Sequence, residues 1–196
     1  MTVQQTQWPD SLWRSTAESL RDFPELSEDI ETDLLIIGAG YTGLSTALHA
    51  ADDVEHIVIV DQAQPGWGCS GRNGGQVQVQ WKPDLAVLKQ LYPGSQFDAF
   101  IKTLGDAVEL VFDLVEQHQI EFQAQRTGSI IAGKGDKAVR YLTEWSEFWT
   151  QTGAQVSLLD KHASTELIGT SHYDRSMFDR RGGSLQPLAY CRGLAR

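Results

Sequence analysis

Gly38, Gly40 and Gly43 stand in the order G-x-G-x-x-G, and an acid, Asp61, follows at close to the ~20-residue distance at which such a motif places a ribose-binding carboxylate. Glycine suits these three positions for separate reasons: a tight turn, close approach of backbone to a pyrophosphate, and close helix–strand contact. Tyr41 and Thr42 fill the gap before the third glycine. The chemistry implied is recognition of a dinucleotide, with Asp61 accepting from ribose hydroxyls and Gln62 beside it. The competing reading is a plain βαβ turn followed by a surface aspartate.

The elements that must position these residues are short. Leu34 to Ile37 is an apolar run of strand length and is expected to be buried. Leu44 to Ala51 reads as an apolar helix beginning where the glycines end, and Ile57 to Val60 as a second strand leading into Asp61. A helix N-terminus placed there offers unpaired N–H groups and a positive dipole end to phosphate. Immediately after Asp61 comes a second glycine-rich stretch containing Gly66, Gly68, Gly71, Gly74 and Gly75, too dense for a helix or an ordinary strand. Ser70, Arg72 and Asn73 lie among these glycines and add hydrogen-bonding side chains and a fixed positive charge. A backbone cradle for an anion explains that mixture better than a flexible linker.

The two blocks Asp33-Leu-Leu-Ile-Ile-Gly-Ala-Gly-Tyr-Thr-Gly-Leu-Ser-Thr-Ala-Leu-His49 and Pro65-Gly-Trp-Gly-Cys-Ser-Gly-Arg-Asn-Gly-Gly-Gln76 together resemble the FAD-dependent amine and amino-acid oxidases of the D-amino-acid-oxidase superfamily. The second block is the more diagnostic, since a nicotinamide Rossmann domain has no such loop. The resemblance implies an α/β fold: a Rossmann-like FAD-binding βαβ unit followed by the beginning of an inserted α+β substrate domain. It implies that Gly38, Gly40 and Gly43 approach the FAD pyrophosphate and that Asp61, where the family more often has Glu, holds the adenosine ribose. It also implies that Ser70, Gly71, Arg72, Asn73, Gly74, Gly75 and Gln76 run along the phosphates and flavin. Cys69 stands where such proteins usually carry a small residue, and it reads either as a filler of the loop or as a covalent flavin attachment point.

Composition narrows the class. With 16 Lys and Arg against 26 Asp and Glu, the formal charge is −10, and no basic cluster offers a surface to nucleic-acid phosphates. No apolar run approaches the ~20 residues of a membrane span. The N-terminus has no basic region followed by an apolar one, so no signal peptide is expected. Cys69 and Cys191 form neither C-x-x-C nor a disulfide framework, which fits a reduced, cytoplasmic enzyme. The five histidines show no metal-ligand spacing, and no G-x-S-x-G is present.

The remaining chain reads as packing elements. Ser11 to Leu20 is expected to be a short helix, and Gln76 to Gln80 a short strand. A helix starts at Lys82-Pro83-Asp84, and a long one runs from Ser95 to about Gln119 with Phe97, Phe100, Ile101, Leu104, Val108, Val111, Phe112 and Val115 on its apolar stripe. Strands are expected over Ile120–Gln125, Ser129–Ala132, Val156–Leu159 and Arg175–Asp179. Helices are expected from Asp136, over Ala163–Ile168, and from Pro187 through Arg196. Tyr141, Trp145 and Trp149 recur at helical spacing and read as core. The family segment that returns to the flavin domain often shows His or Asn where this chain has Gln186.

The expected organisation is an N-terminal arm over 1–32, a first FAD-binding segment over 33–118, the start of a substrate domain over 119–185, and a returning helix over 186–196. The resemblance covers about the N-terminal half of a family member. It implies hydride transfer from the carbon beside an amine to flavin, hydrolysis of the resulting imine, and reoxidation by O2 or another acceptor. A polyamine derivative or an amino acid is the implied substrate; no residue matches a catalytic motif. Two alternatives stay open: a piece that does not retain FAD, and a nicotinamide-dependent reductase.

Overall fold

The computed structural model describes residues 7–18, 23–79, 83–122 and 124–196. The fold is mixed α/β, and contacts divide it into two compact units, the first comprising Met1–Gly75, Asp113–Ala124 and Leu185–Arg196 and the second Gln76–Phe112 and Gln125–Ser184. Residues 76–112, grouped by sequence with the first FAD-binding segment, fall in the second unit.

The first unit begins with α1 (Leu12–Thr16), whose N-cap Ser11 accepts from the Arg14 N–H; Leu20, placed in this helix by sequence, lies outside the described residues. Strands β1 (Leu34–Ile37) and β2 (Ile57–Val60) pair in parallel, Leu34 with Ile57 through Ile37 with Val60, joined by α2 (Tyr41–Ala50). The expected full burial of β1 is corrected. Alternate residues of a strand face opposite sides. Ile36 lies beneath α2 while Leu35 and Ile37 point away, 53% and 84% exposed. The start of α2 is also corrected, from Leu44 to Tyr41: Gly43 sits inside the first turn, because its missing side chain is what lets the turn close.

The last helix of this unit, α7 (Pro187–Leu194), has Pro at its first position and Gln186 as N-cap, the Gln186 Oε1 accepting from the Ala189 N–H at 2.7 Å. It ends at Leu194 with Ala195 as C-cap, rather than running through Arg196. Leu188, Tyr190, Cys191 and Leu194 are buried, and the absence of a side chain on Gly193 lets Ile120 pack against the helix. The N-terminal arm lies along α7. Gln186 Nε2 donates to Trp13 O at 2.7 Å, the Arg192 guanidinium sits 5.2 Å from the Trp8 ring centre, and Arg196 pairs with Glu18.

The second unit carries an antiparallel sheet of order β4–β6–β5, from β4 (Ser129–Gly133), β5 (Val156–Leu159) and β6 (Arg175–Asp179). Against it packs α5 (Asp136–Gln151), with Trp145 and Trp149 buried and stacked at 6.0 Å, and Tyr141 half-buried. The short helices α3 (Leu85–Leu91), which Asp84 precedes as N-cap, and α6 (Lys161–Ile168) complete this part, Lys82 lying outside the described residues. The long helix α4 (Ser95–Gln117) runs unbroken through Gly105. It buries Phe97, Ile101, Val108 and Phe112 of the expected stripe, together with Leu114.

One expected strand shrinks and another does not form. β3 (Gln76–Val77) pairs antiparallel with β7 (Gly183–Ser184) and stops there, Gln80 lying outside the described residues. No strand forms over Ile120–Gln125 among the described residues. The chain leaves α4 through Gln119 at φ +49°, the Ile120 N–H returns to Val115 O at 2.9 Å, and only Gln125 makes an isolated bridge, to Ser184. The alternation of apolar and polar residues there serves one buried contact, Ile120, instead of a ladder.

Within the second unit Asp179 is 2% exposed and takes a two-pronged hydrogen bond from the Arg181 guanidinium, Nε at 2.9 Å and Nη2 at 2.6 Å. The guanidinium lies 4.6 Å from the Trp149 ring centre.

Candidate functional site

The glycine turn is tight enough to identify each glycine's task. Gly38 adopts φ +111°, in the region that favours glycine. A Cβ on Gly43 would stand 1.9 Å from Gly38 O, so only hydrogen fits where α2 meets the end of β1. Gly40 is the N-cap of α2 and brings no capping side chain. Instead the Tyr41 N–H donates to Ser70 Oγ at 3.0 Å, from the second glycine-rich loop. The N–H groups of Thr42 and Gly43, in the same first turn, meet no protein acceptor among the described residues. An open helix N-terminus of this kind is suited to an anion.

Asp61 lies at the end of β2 and is exposed, with Gln62 exposed beside it. Its Oδ2 accepts from the Ala39 N–H at 2.7 Å and its Oδ1 from the Ala63 N–H at 2.9 Å. The carboxylate therefore ties the end of β2 to the glycine turn. A carboxylate offers about four acceptor positions, so lone pairs remain for two further donors such as ribose hydroxyls. Asp61→Ala is expected to cost about 1–3 kcal/mol, since two backbone N–H groups lose their acceptor, and urea unfolding measures it. Asp61→Asn retains one acceptor oxygen and leaves one of the two amides without an acceptor, so about half of that loss is expected.

The second loop is held by its own side chains. Cys69–Gly71 forms one 3-10 turn. Asn73 Nδ2 donates to Ser70 O at 2.8 Å and to Tyr41 Oη at 3.2 Å, while Asn73 Oδ1 accepts from the Gly75 N–H at 2.8 Å. Gly75, at φ +70°, accepts from the Leu185 N–H at 2.8 Å, and a Cβ there would come within 2.2 Å of Leu185 O. Gly71 packs against Gly66 O in the same manner, Gly74 is exposed, and Gln76 pairs with Ser184. Arg72 donates from Nε to Gly68 O at 3.2 Å and stacks 5.0 Å from the Trp67 ring centre. The structure thus brings Tyr41, Ser70 and Asn73 into one hydrogen-bonded group, ties Asp61 to the glycine turn, and gives Arg72 partners within its own loop.

Residues of α7 complete this group and carried no signal in the sequence beyond their chemistry. Tyr41 Oη donates to Pro187 O at 3.0 Å, and the Tyr41 and Tyr190 rings lie 5.3 Å apart. The Cys191 thiol is fully buried beside Gly66 and reaches Ala39 O at 3.6 Å. Burial, with a smaller push from Asp61, raises it from the ordinary thiol value of 9.0 to about 12. Cys69 is exposed. Iodoacetamide at mildly alkaline pH is therefore expected to modify Cys69 in the folded protein and Cys191 only after denaturation, read by mass spectrometry of peptides. Because the folded chain alone resists forming the Cys191 thiolate, its contribution to stability is intact below about 9 and falls as pH rises toward 12.

The donor set fits an FAD: an open helix N-terminus for the pyrophosphate, a carboxylate with free lone pairs, and a glycine loop that brings backbone close. No cluster of metal-ligating side chains exists among the described residues, and no helix there is long and apolar enough to cross a membrane.

A dinucleotide-type βαβ turn followed by a glycine-rich second loop defines a flavoprotein class. Residues 33–196 match the family described as FAD dependent oxidoreductase, DAO, and the chain belongs to that family. It is 30% identical over 191 residues to gamma-glutamylputrescine oxidoreductase of Escherichia coli K12, spanning 97% of this chain and 45% of that protein. Among solved structures it resembles glycine oxidase from Geobacillus kaustophilus, with TM-score 0.61 and 19% identity over 83% of this chain and 43% of the other. It also resembles the L-amino acid deaminase from Proteus vulgaris lacking its specific insertion, with TM-score 0.67 and 14% identity over 96% and 48%. The chain thus spans about half the length of the relatives it matches.

Proposed function

We propose that the chain is the N-terminal FAD-binding part of a flavin-dependent oxidoreductase that oxidises the C–N bond of an amine or amino acid, of the gamma-glutamylputrescine oxidoreductase type. The observation that carries the reading is the Gly38–Gly43 turn with its open amides at Thr42 and Gly43, set beside the Ser70–Gly75 loop. FAD would supply the acceptance of a hydride from the carbon beside the amine nitrogen. In this reading Thr42 and Gly43 donate to the pyrophosphate and Asp61 accepts from the adenosine ribose. Gly40 and Gly71 to Gln76 bring backbone and polar groups along the rest of the cofactor. The 30% identity to a gamma-glutamylputrescine oxidoreductase supports a polyamine-derived amine as substrate, and a deaminase and a glycine oxidase among the structural relatives keep amino acids in the panel.

The test is anaerobic bleaching of the flavin band, followed by peroxide formation in air, across gamma-glutamylated diamines, free diamines and amino acids, using the complete gene product. Bleaching by one amine class supports the reading; a flavin that no amine bleaches contradicts it. A second reading, that residues 1–196 alone hold FAD poorly, is favoured by the exposed Leu35 and Ile37 on β1. It predicts weaker FAD binding by these residues alone than by the complete gene product.

A further inference from the structure

We propose that Tyr41 is a positioning residue for the FAD site, its phenol oxygen clasping the Ser70–Gly75 loop to the first turn of α7. The proposal rests on the FAD reading above, and the group it describes lies within the first unit. Two segments distant in sequence meet on this residue. Its backbone N–H donates to Ser70 Oγ, its Oη donates to Pro187 O at 3.0 Å, and the same oxygen accepts from Asn73 Nδ2 at 3.2 Å. Asn73 passes the constraint on, through its Nδ2 to Ser70 O at 2.8 Å and its Oδ1 to the Gly75 N–H at 2.8 Å. Gly75 in turn pairs with Leu185, two residues before α7.

The phenol oxygen both donates and accepts, which no other side chain of this shape does. Burial disfavours its ionised form, so the hydroxyl keeps the proton that Pro187 O receives. The ring has a separate role, packing against Tyr190 at 5.3 Å. A phenylalanine would preserve that packing and remove both hydrogen bonds, which makes the oxygen's role separable from the ring's.

Y41F removes both bonds of the phenol oxygen, whereas N73D keeps the acceptor for Gly75, loses the amide donor to Tyr41 Oη and Ser70 O, and sets a carboxylate beside the phenol. Amide hydrogen exchange on the FAD-free chain is expected to show the Gly75 amide exchanging roughly 5–10-fold faster in Y41F, with the α5 amides unchanged. FAD titration by flavin fluorescence is expected to show a dissociation constant raised roughly 5–10-fold in Y41F, and a smaller effect of N73D in the Y41F background than in the unsubstituted chain. Unchanged exchange at Gly75 in Y41F overturns the proposal, as do effects of the two substitutions that simply add. Faster exchange with an unchanged FAD constant reduces Tyr41 to a structural tie and also overturns it. If the unsubstituted chain and the complete gene product both bind no FAD, the FAD reading falls, and the exchange result still decides whether the clasp exists. Should Y41F fail to fold, N73D carries the same two readouts.

Discussion

Gly43→Ala is expected to lower FAD affinity by about 100-fold and to destabilise the protein by about 3 kcal/mol, the upper end for overpacking a tight site. The Cβ would stand 1.9 Å from Gly38 O and 3.1 Å from Gly38 C, atoms of backbone that cannot rotate aside. Relief requires α2 to slide from the end of β1, which carries the Thr42 and Gly43 amides away from their place. Gly68→Ala is the matched control, because φ is −76° there and no atom lies within 4 Å of the added carbon. That substitution is expected to change stability by less than about 0.5 kcal/mol. Urea unfolding and FAD titration of the two variants side by side check both numbers.

The second large effect lies in the other unit. Arg181→Met is expected to destabilise the protein by about 3–5 kcal/mol, because it leaves the Asp179 carboxylate buried without its counter-ion. Asp179 is 2% exposed, and both its oxygens engage the guanidinium. Methionine is chosen because its flexible apolar side chain can pack where the guanidinium lies over Trp149, so the loss reports charge rather than volume. Arg181→Met combined with Asp179→Asn is expected to be markedly less harmful than Arg181→Met alone, since no charge then stays buried. Equal losses in the single and double variants would place the effect in packing instead.

Local chemistry made part of this fold legible, and distance concealed the rest. The spacing of Gly38, Gly40 and Gly43 with Asp61 located the turn, and a 3.6-residue period located α4 and α5. Beginning α2 where the glycines end sets its start three residues late. The role of Gly43 is set by a contact with Gly38 O, which a propensity scale does not contain. Ile120 to Gln125 carries strand-like alternation, yet the left-handed Gln119 turns the chain so that Ile120 packs on Gly193. Pro187, Tyr190 and Cys191 lie more than a hundred residues from Tyr41 and Ala39, and no periodicity links them. Asp61 is readable in the sequence as an acid that follows a strand, but its bonds to the Ala39 and Ala63 amides are not.

In the proposed reading the Gly38–Gly43 turn and the Ser70–Gly75 loop hold FAD. The most direct measurement is the visible spectrum of the purified complete gene product, before and after FAD is added and free flavin removed, with thermal unfolding in FAD, NAD and NADP alongside. The expected result is flavin bands that stay with the protein, a rise in unfolding temperature with FAD, and none with either nicotinamide. A protein that stays colourless after FAD and is stabilised by NAD or NADP would contradict that reading.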